Sequence, residues 1–157
     1  MSTAFSVRLQ ARAYEVDRQG HVNQAVYTQY AEHARWEFLQ AAGLTPDVLA
    51  DAGLGPVLLK ATVRFQRELR AGDHVDVSCV ISGGKGQLIE LVQRFQTPGG
   101  IAVARFENTI GLLDLATRRL VPDPRAMMRE LAKQPDVLFP DTPEQSQAKP
   151  DSAEGQA

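Results

Sequence analysis

The chain has 157 residues, 43% of them apolar and 23% charged, which is enough for one globular domain with a buried core and too little for two. A net charge of −2 supplies no global basic field, so nucleic acid is not an expected partner. Cys79 is the only cysteine, which excludes an intrachain disulfide and a thiolate metal cluster and predicts a reducing, cytoplasmic setting.

The N-terminal residues lack the apolar core of a signal peptide, and no run approaches the ~20 apolar residues that span a bilayer. A soluble, unprocessed chain with no membrane partner is expected. Phe5, Val7, Leu9, Ala11 and Ala13 alternate with Ser6, Arg8, Gln10 and Arg12, the pattern of a half-buried strand. From Gln24 to about Ala42 the period becomes helical, with Tyr27, Tyr30, Ala31, Ala34 and Phe38 on one stripe. Asn23 suits its N-cap and Gly43 its stop. Thr45-Pro46-Asp47 opens a short helix that ends near Gly53.

Four strands follow. Val57, Leu59, Ala61, Val63 and Phe65 are expected on one face of the first; Val75, Val77, Cys79 and Ile81 are expected on one face of the second. Ser82 to Gly86 reads as a hairpin turn into Leu88 through Gln96, and Thr97-Pro98-Gly99-Gly100 leads on to Ile101 through Leu115. No βαβ alternation occurs, so the expected class is α+β, an antiparallel sheet of about five strands around one long helix. Its open edge predicts a homodimer or homotetramer. After Phe139 no aromatic or large aliphatic residue remains, so residues 1–139 are read as the domain and 140–157 as a disordered tail. The tail's four carboxylates against one lysine leave residues 1–140 at +1 of the chain's −2.

Gly-x-Ser-x-Gly, a Walker loop and a complete Gly-x-Gly-x-x-Gly are all missing, and His21, His33 and His74 have no metal-ligand spacing; neither metal nor cofactor is expected. The chemistry-bearing stretch is Asp17-Arg18-Gln19-Gly20-His21-Val22-Asn23. A carboxylate and an imidazole lie four residues apart, just before a helix whose first N–H groups and dipole suit a developing oxyanion. The same residues also read as turn and cap chemistry, the commoner role of such residues.

The stretch Asp17-x-x-Gly20-His21-Val22-Asn23-x-x-x-Tyr27 resembles the active-site segment of 4-hydroxybenzoyl-CoA thioesterase-like hotdog enzymes. Val63-Arg64-Phe65 and Leu69 through Val75 resemble that family's second and third strands, so that the likeness runs over roughly residues 5–135. The resemblance implies the hotdog fold and hydrolysis of an acyl-CoA thioester. Asp17 would serve as nucleophile or general base, and a helix amide, that of Asn23 or Gln24, would polarise the carbonyl. Plant acyl-carrier-protein thioesterases are similar here and place a functional His four after the Asp, matched by His21; where they carry Asn two after the Asp, this chain has Gln19.

An acyl-carrier-protein thioesterase and a non-catalytic acyl-CoA-binding hotdog module are the alternatives. Tyr27 and Tyr30 read as core or acyl-pocket residues, and Glu32, Arg35 and Glu37 as surface ion pairing or a polar wall. Trp36 faces either a pocket or a partner. Arg64 and Arg67 on a strand, with Lys85 in the glycine-rich turn, are candidates for the phosphates of CoA or for plain solvent exposure.

Overall fold

The computed structural model describes residues 4–141. The expected tail lies, apart from residues 140 and 141, outside the described residues. Strand β1 (Ser6–Gln10) leads through a 3-10 turn at Ala13–Glu15 and a short loop into helix α1 (Gln24–Ala41), then α2 (Pro46–Asp51). Strands β2 (Leu54–Phe65), β3 (His74–Gly83), β4 (Ile89–Gln96), β5 (Ala102–Asp114) and the short β6 (Arg119–Leu120) follow, and helices α3 (Pro124–Leu131) and α4 (Pro135–Leu138) close the described chain.

The antiparallel sheet runs β1-β3-β4-β5-β2, with β6 alongside β5. Its concave face wraps α1. The helix starts where expected: the Asn23 side chain accepts from the Ala25 amide at 2.9 Å. It ends at Gly43, whose φ of +85° is the left-handed conformation glycine adopts without penalty. Thr45 caps α2 as read.

Tyr27, Tyr30, Ala31, Ala34, Phe38 and Leu39 form the buried stripe of α1. Ala31 and Ala34, fully buried, let the sheet approach closely, and aromatic rings fill the flanks. Tyr27 meets Phe65 edge-on with centroids 5.2 Å apart, and Phe95 stacks on Phe106 at 5.1 Å. Each large apolar side chain buried in this way contributes roughly 1.5–3 kcal/mol. The stripe thus fixes the first turn of α1 against the Phe65 end of β2.

Two expectations need correction. A β-bulge between Leu58 and Lys60 shifts the β2–β5 register. Ala61, Val63 and Phe65 pair with Asn108, Phe106 and Ala104 and share the concave face, whereas before the bulge Pro56 and Leu58 pair with Leu112 and Ile110. Val57 and Leu59 therefore do not share one face with the rest, because one inserted residue inverts the alternation. The described chain also continues past β5 into β6, α3 and α4, which periodicity did not announce; α3 runs only eight residues, too short for a stripe to repeat. β2, twelve residues long, is an open edge with Leu58, Leu59 and Phe65 exposed.

Candidate active site

The Asp17 loop is held from both sides. Val16 and Val22 form an isolated antiparallel bridge, the Asp17 amide donates to His21 O at 2.9 Å, and the Gly20 amide returns to Asp17 O at 3.1 Å. Gly20 turns the chain with φ +85°. The Val22 amide donates to Leu69 O at 2.7 Å, which ties the loop to the segment before β3.

Within this turn Asp17 Oδ1 accepts the Gln19 amide at 2.8 Å, and Oδ2 lies 3.4 Å from His21 Nδ1. The far ring nitrogen of His21 meets Gln19 Oε1 at 2.9 Å. About a quarter of the Asp17 side chain stays accessible, 27%, so a carboxylate oxygen remains within reach of water. Asp17, Gln19 and His21 thus form one hydrogen-bonded group, with Gln19 holding the imidazole from its outer edge.

Asn23 and Gln24 differ in what they offer. The Asn23 amide already donates to Glu15 O at 3.0 Å, while its side chain caps the helix. The Gln24 amide has no hydrogen-bond partner among the described residues. It sits at the positive end of the α1 dipole, where an oxyanion would be received. Tyr27, one turn on, is buried; burial raises its hydroxyl pKa, partly offset by a hydrogen bond from the Leu69 backbone.

Sequence reasoning passed over Glu15. It is 9% exposed and accepts from the Arg12 amide at 2.8 Å, from the Arg12 guanidinium at 3.2 Å and from the Tyr30 hydroxyl. Burial pushes its pKa up, but the hydrogen bonds from Tyr30 and Arg12 together hold it below the usual carboxylate range. The same contact, with burial, raises the Tyr30 hydroxyl pKa.

A second polar group lies under the middle of α1. Gln93 Nε2 donates to Ala31 O at 2.9 Å, its Oε1 accepts from Asn108 Nδ2 at 3.1 Å and from Arg35 at 3.3 Å, and Asn108 Oδ1 is buried without a partner. The available signal was phase: Gln93 stands between Leu91 and Phe95, and Asn108 between Phe106 and Ile110, on the buried alternation of their strands. Among the described residues, neither Glu32 nor Arg35 forms an ion pair. Both line, with Trp36, a cavity of about 150 Å³ between α1 and the sheet. None of residues 17–27 borders that cavity; Pro56, Val57 and Leu58 of β2 do.

The three cations considered for phosphates do not converge. Arg67 lies beyond the end of β2 in a surface recess with Glu68 and His74, and Lys85 is in the β3–β4 hairpin turn. From Ile89, where that hairpin enters β4, to Arg94 is about 17 Å of strand. Arg64 instead faces Arg105 across β2 and β5, and Arg105 faces Arg94 across β5 and β4, a row of three arginines on the convex face. Arg105 also pairs with Glu107 at 3.0 Å, and burial together with Arg105 lowers the Arg94 pKa.

A curled antiparallel sheet around one long helix, with an acidic turn leading into that helix, is the hotdog architecture in its thioesterase-like form. Residues 11–131 match the Thioesterase-like superfamily, and the chain belongs to it. Among curated proteins it is 41% identical over 83 residues to the Acyl-acyl carrier protein thioesterase ATL3, chloroplastic, of Arabidopsis thaliana. That match takes in 53% of this chain; the chain spans less than half the length of the curated relatives it matches, 44% for this one. Among solved structures, a Staphylococcus aureus protein in complex with CoA superposes with a TM-score of 0.76 at 19% identity, covering 94% of each chain. A 1,4-dihydroxy-2-naphthoyl-CoA thioesterase from Synechocystis gives 0.71 at 18% identity, over 82% of this chain and 96% of its own. These last two likenesses bear on the fold.

Proposed function

We propose that this chain hydrolyses an acyl-CoA thioester to the free carboxylic acid and CoA. The observation that carries the reading is an accessible, hydrogen-bonded Asp17 carboxylate in the turn before α1 together with the Gln24 amide at the start of that helix, unpartnered among the described residues. Asp17 takes a proton from water as the water attacks the carbonyl carbon, or attacks that carbon itself to form an anhydride that water then opens. The carbonyl oxygen gathers negative charge against the Gln24 amide, and the carbon–sulfur bond breaks to release the thiolate. His21 orients the Asp17 carboxylate, and Asn23 aims the helix. A thiolate leaves readily, so no strong general acid is required.

The working unit in this reading is a dimer paired along β2. Antiparallel pairing of two β2 edges sets the Phe65 end of one against the Pro56 end of the other. Phe65 touches Tyr27 and Pro56 borders the cavity. Each Asp17 then stands near the cavity of the other protomer, whereas within one chain Glu32 lies about 12 Å along α1 from Gln24.

A second reading, with an acyl-carrier protein in place of CoA, is supported by the arginine row Arg64, Arg105 and Arg94, a cationic stripe that an acidic carrier surface would complement. The name of the Arabidopsis relative points the same way.

The test is release of free thiol from a panel of acyl-CoA and acyl-carrier-protein thioesters by the wild-type protein and Asp17→Asn. Release that Asp17→Asn loses is expected. No release from any thioester, or an unimpaired variant, defeats the reading. Charge reversal at Arg64 and Arg105 separates the carriers, because it slows only the protein-borne substrate if the arginine row docks it.

A further inference from the structure

Asp17 and Gln24 are joined by two routes. One follows the turn through residues 18–22, where Gly20 sits at φ +85°. The other is shorter: back along the chain from Asp17 to Glu15, across the hydrogen bond of 3.0 Å in which the Asn23 amide donates to Glu15 O, and one residue on to Gln24. Asn23 is held at its other end as well, its carbonyl accepting the Val26 amide at 2.9 Å. The plane of the peptide between Asn23 and Gln24, and with it the direction of the Gln24 N–H, therefore follows Glu15.

Glu15 is in turn fixed by its own side chain. Oε2 accepts from the Tyr30 hydroxyl, on the second turn of α1, and from the Arg12 amide; Oε1 accepts from the Arg12 guanidinium. The Glu15 amide donates to Arg12 O at 3.0 Å, so every polar atom of the residue is engaged. Burying a carboxylate is costly, and a well-packed apolar side chain in its place is often as stable or more so. A carboxylate pinned at both oxygens from two segments, two residues before Asp17, suits the fixing of a distance better than the raising of stability.

We infer that Glu15 is a positioning residue for the chemistry: through its carbonyl and its carboxylate it sets the spacing between the Asp17 carboxylate and the Gln24 amide, with Tyr30 and Arg12 holding it in place. A thioester has to present its carbonyl carbon to Asp17, or to water held by Asp17, while its oxygen meets Gln24, and a misplacement of about 1 Å costs on the order of 10²-fold in rate. The inference rests on the thioester reading for what those two groups do; their spacing is tested apart from turnover.

Two measurements on the full chain do this. Hydrogen exchange of the Asn23 amide reads the spacing, because the Glu15 carbonyl is its acceptor. Tyr30→Phe, which removes one hydroxyl and keeps the ring, and Glu15→Gln are each expected to lower its protection by about tenfold or more. Steady-state thiol release reads the chemistry: both variants are expected to lose about 10- to 100-fold in kcat with KM held within about twofold. Leu138→Val or Leu138→Ala, in α4 near the far end of α1, supplies a matched loss of melting temperature and is expected to keep both Asn23 protection and kcat.

Unchanged Asn23 protection in Tyr30→Phe overturns the inference, even if Glu15→Gln fails to fold. A loss of kcat no larger than that of the Leu138 variant at equal loss of melting temperature overturns it too, since the residue would then act on stability alone. Absence of thiol release from the wild type, with Asn23 protection falling as expected in the variants, would count against the hydrolytic reading and leave the spacing role standing.

Discussion

The Tyr30 hydroxyl, on the buried stripe of α1, donates to the carboxylate of Glu15, and the backbone carbonyl of the same Glu15 accepts the Asn23 amide that precedes the helix. One residue therefore holds α1 at two points, two positions before Asp17. The Asp17 turn and the helix N-terminus are positioned as a unit through it.

This clamp makes stability depend on pH. The folded pKa of Glu15 is depressed, so its contribution is present above the unfolded carboxylate value near ~4.3 and is lost as pH falls through the folded value. Urea unfolding at pH 7 and pH 3 is expected to show a steeper loss for wild type than for Glu15→Gln. At pH 7 that substitution is expected to cost about 1–3 kcal/mol, because the buried Tyr30 hydroxyl and the Arg12 donors lose a charged acceptor. Parallel pH profiles would show that the carboxylate is not linked to folding.

Asp17→Asn keeps an oxygen that can accept the Gln19 amide, so the turn should survive while the charge does not. A fall in kcat of about 10²–10⁴-fold is expected, with a melting temperature close to that of wild type. His21→Ala is expected to lose less, since in the proposed mechanism the ring only orients the carboxylate. Steady-state thiol release and thermal melting of the two variants check both statements.

Burial pushes the Cys79 thiol up to about 12, offset in part by a hydrogen bond from Gln93 and by the Arg35 charge. At pH 8 only about one thiol in 10⁴ would then be ionised. Labelling by a disulfide reagent should be far slower in native than in urea-unfolded protein, and should rise with denaturant along the unfolding curve. Fast labelling of native protein would place Cys79 in an open site instead of beneath α1.

The exposed β2 edge, with Leu58 and Leu59 half out in solvent, is expected to pair with a second copy. Sedimentation of wild type should give twice the chain mass. Leu59→Glu, which sets carboxylates near each other across such an edge, should raise the dimer dissociation constant tenfold or more and reduce thiol release in step with the loss of dimer. A fully active monomer would show that each chain holds a complete site.

Local chemistry made much of this protein legible in its sequence. Alternation located β1, β3, β4 and β5, the helical period located α1, and Asn23, Gly43 and Thr45 marked ends that depend only on neighbouring backbone. Asp17 and His21 could be paired from spacing because a tight turn brings residues four apart together.

Tertiary structure decided what depends on distant partners. The order β1-β3-β4-β5-β2, the bulge that turns Leu59 out of phase, the burial of Glu15, the inward face of Arg35 and the alignment of Arg64, Arg105 and Arg94 all arise from pairings between segments far apart in the chain. A residue's own period says whether it faces core or solvent. Which charge, acceptor or cavity it meets there is set by the register of strands it does not adjoin in sequence.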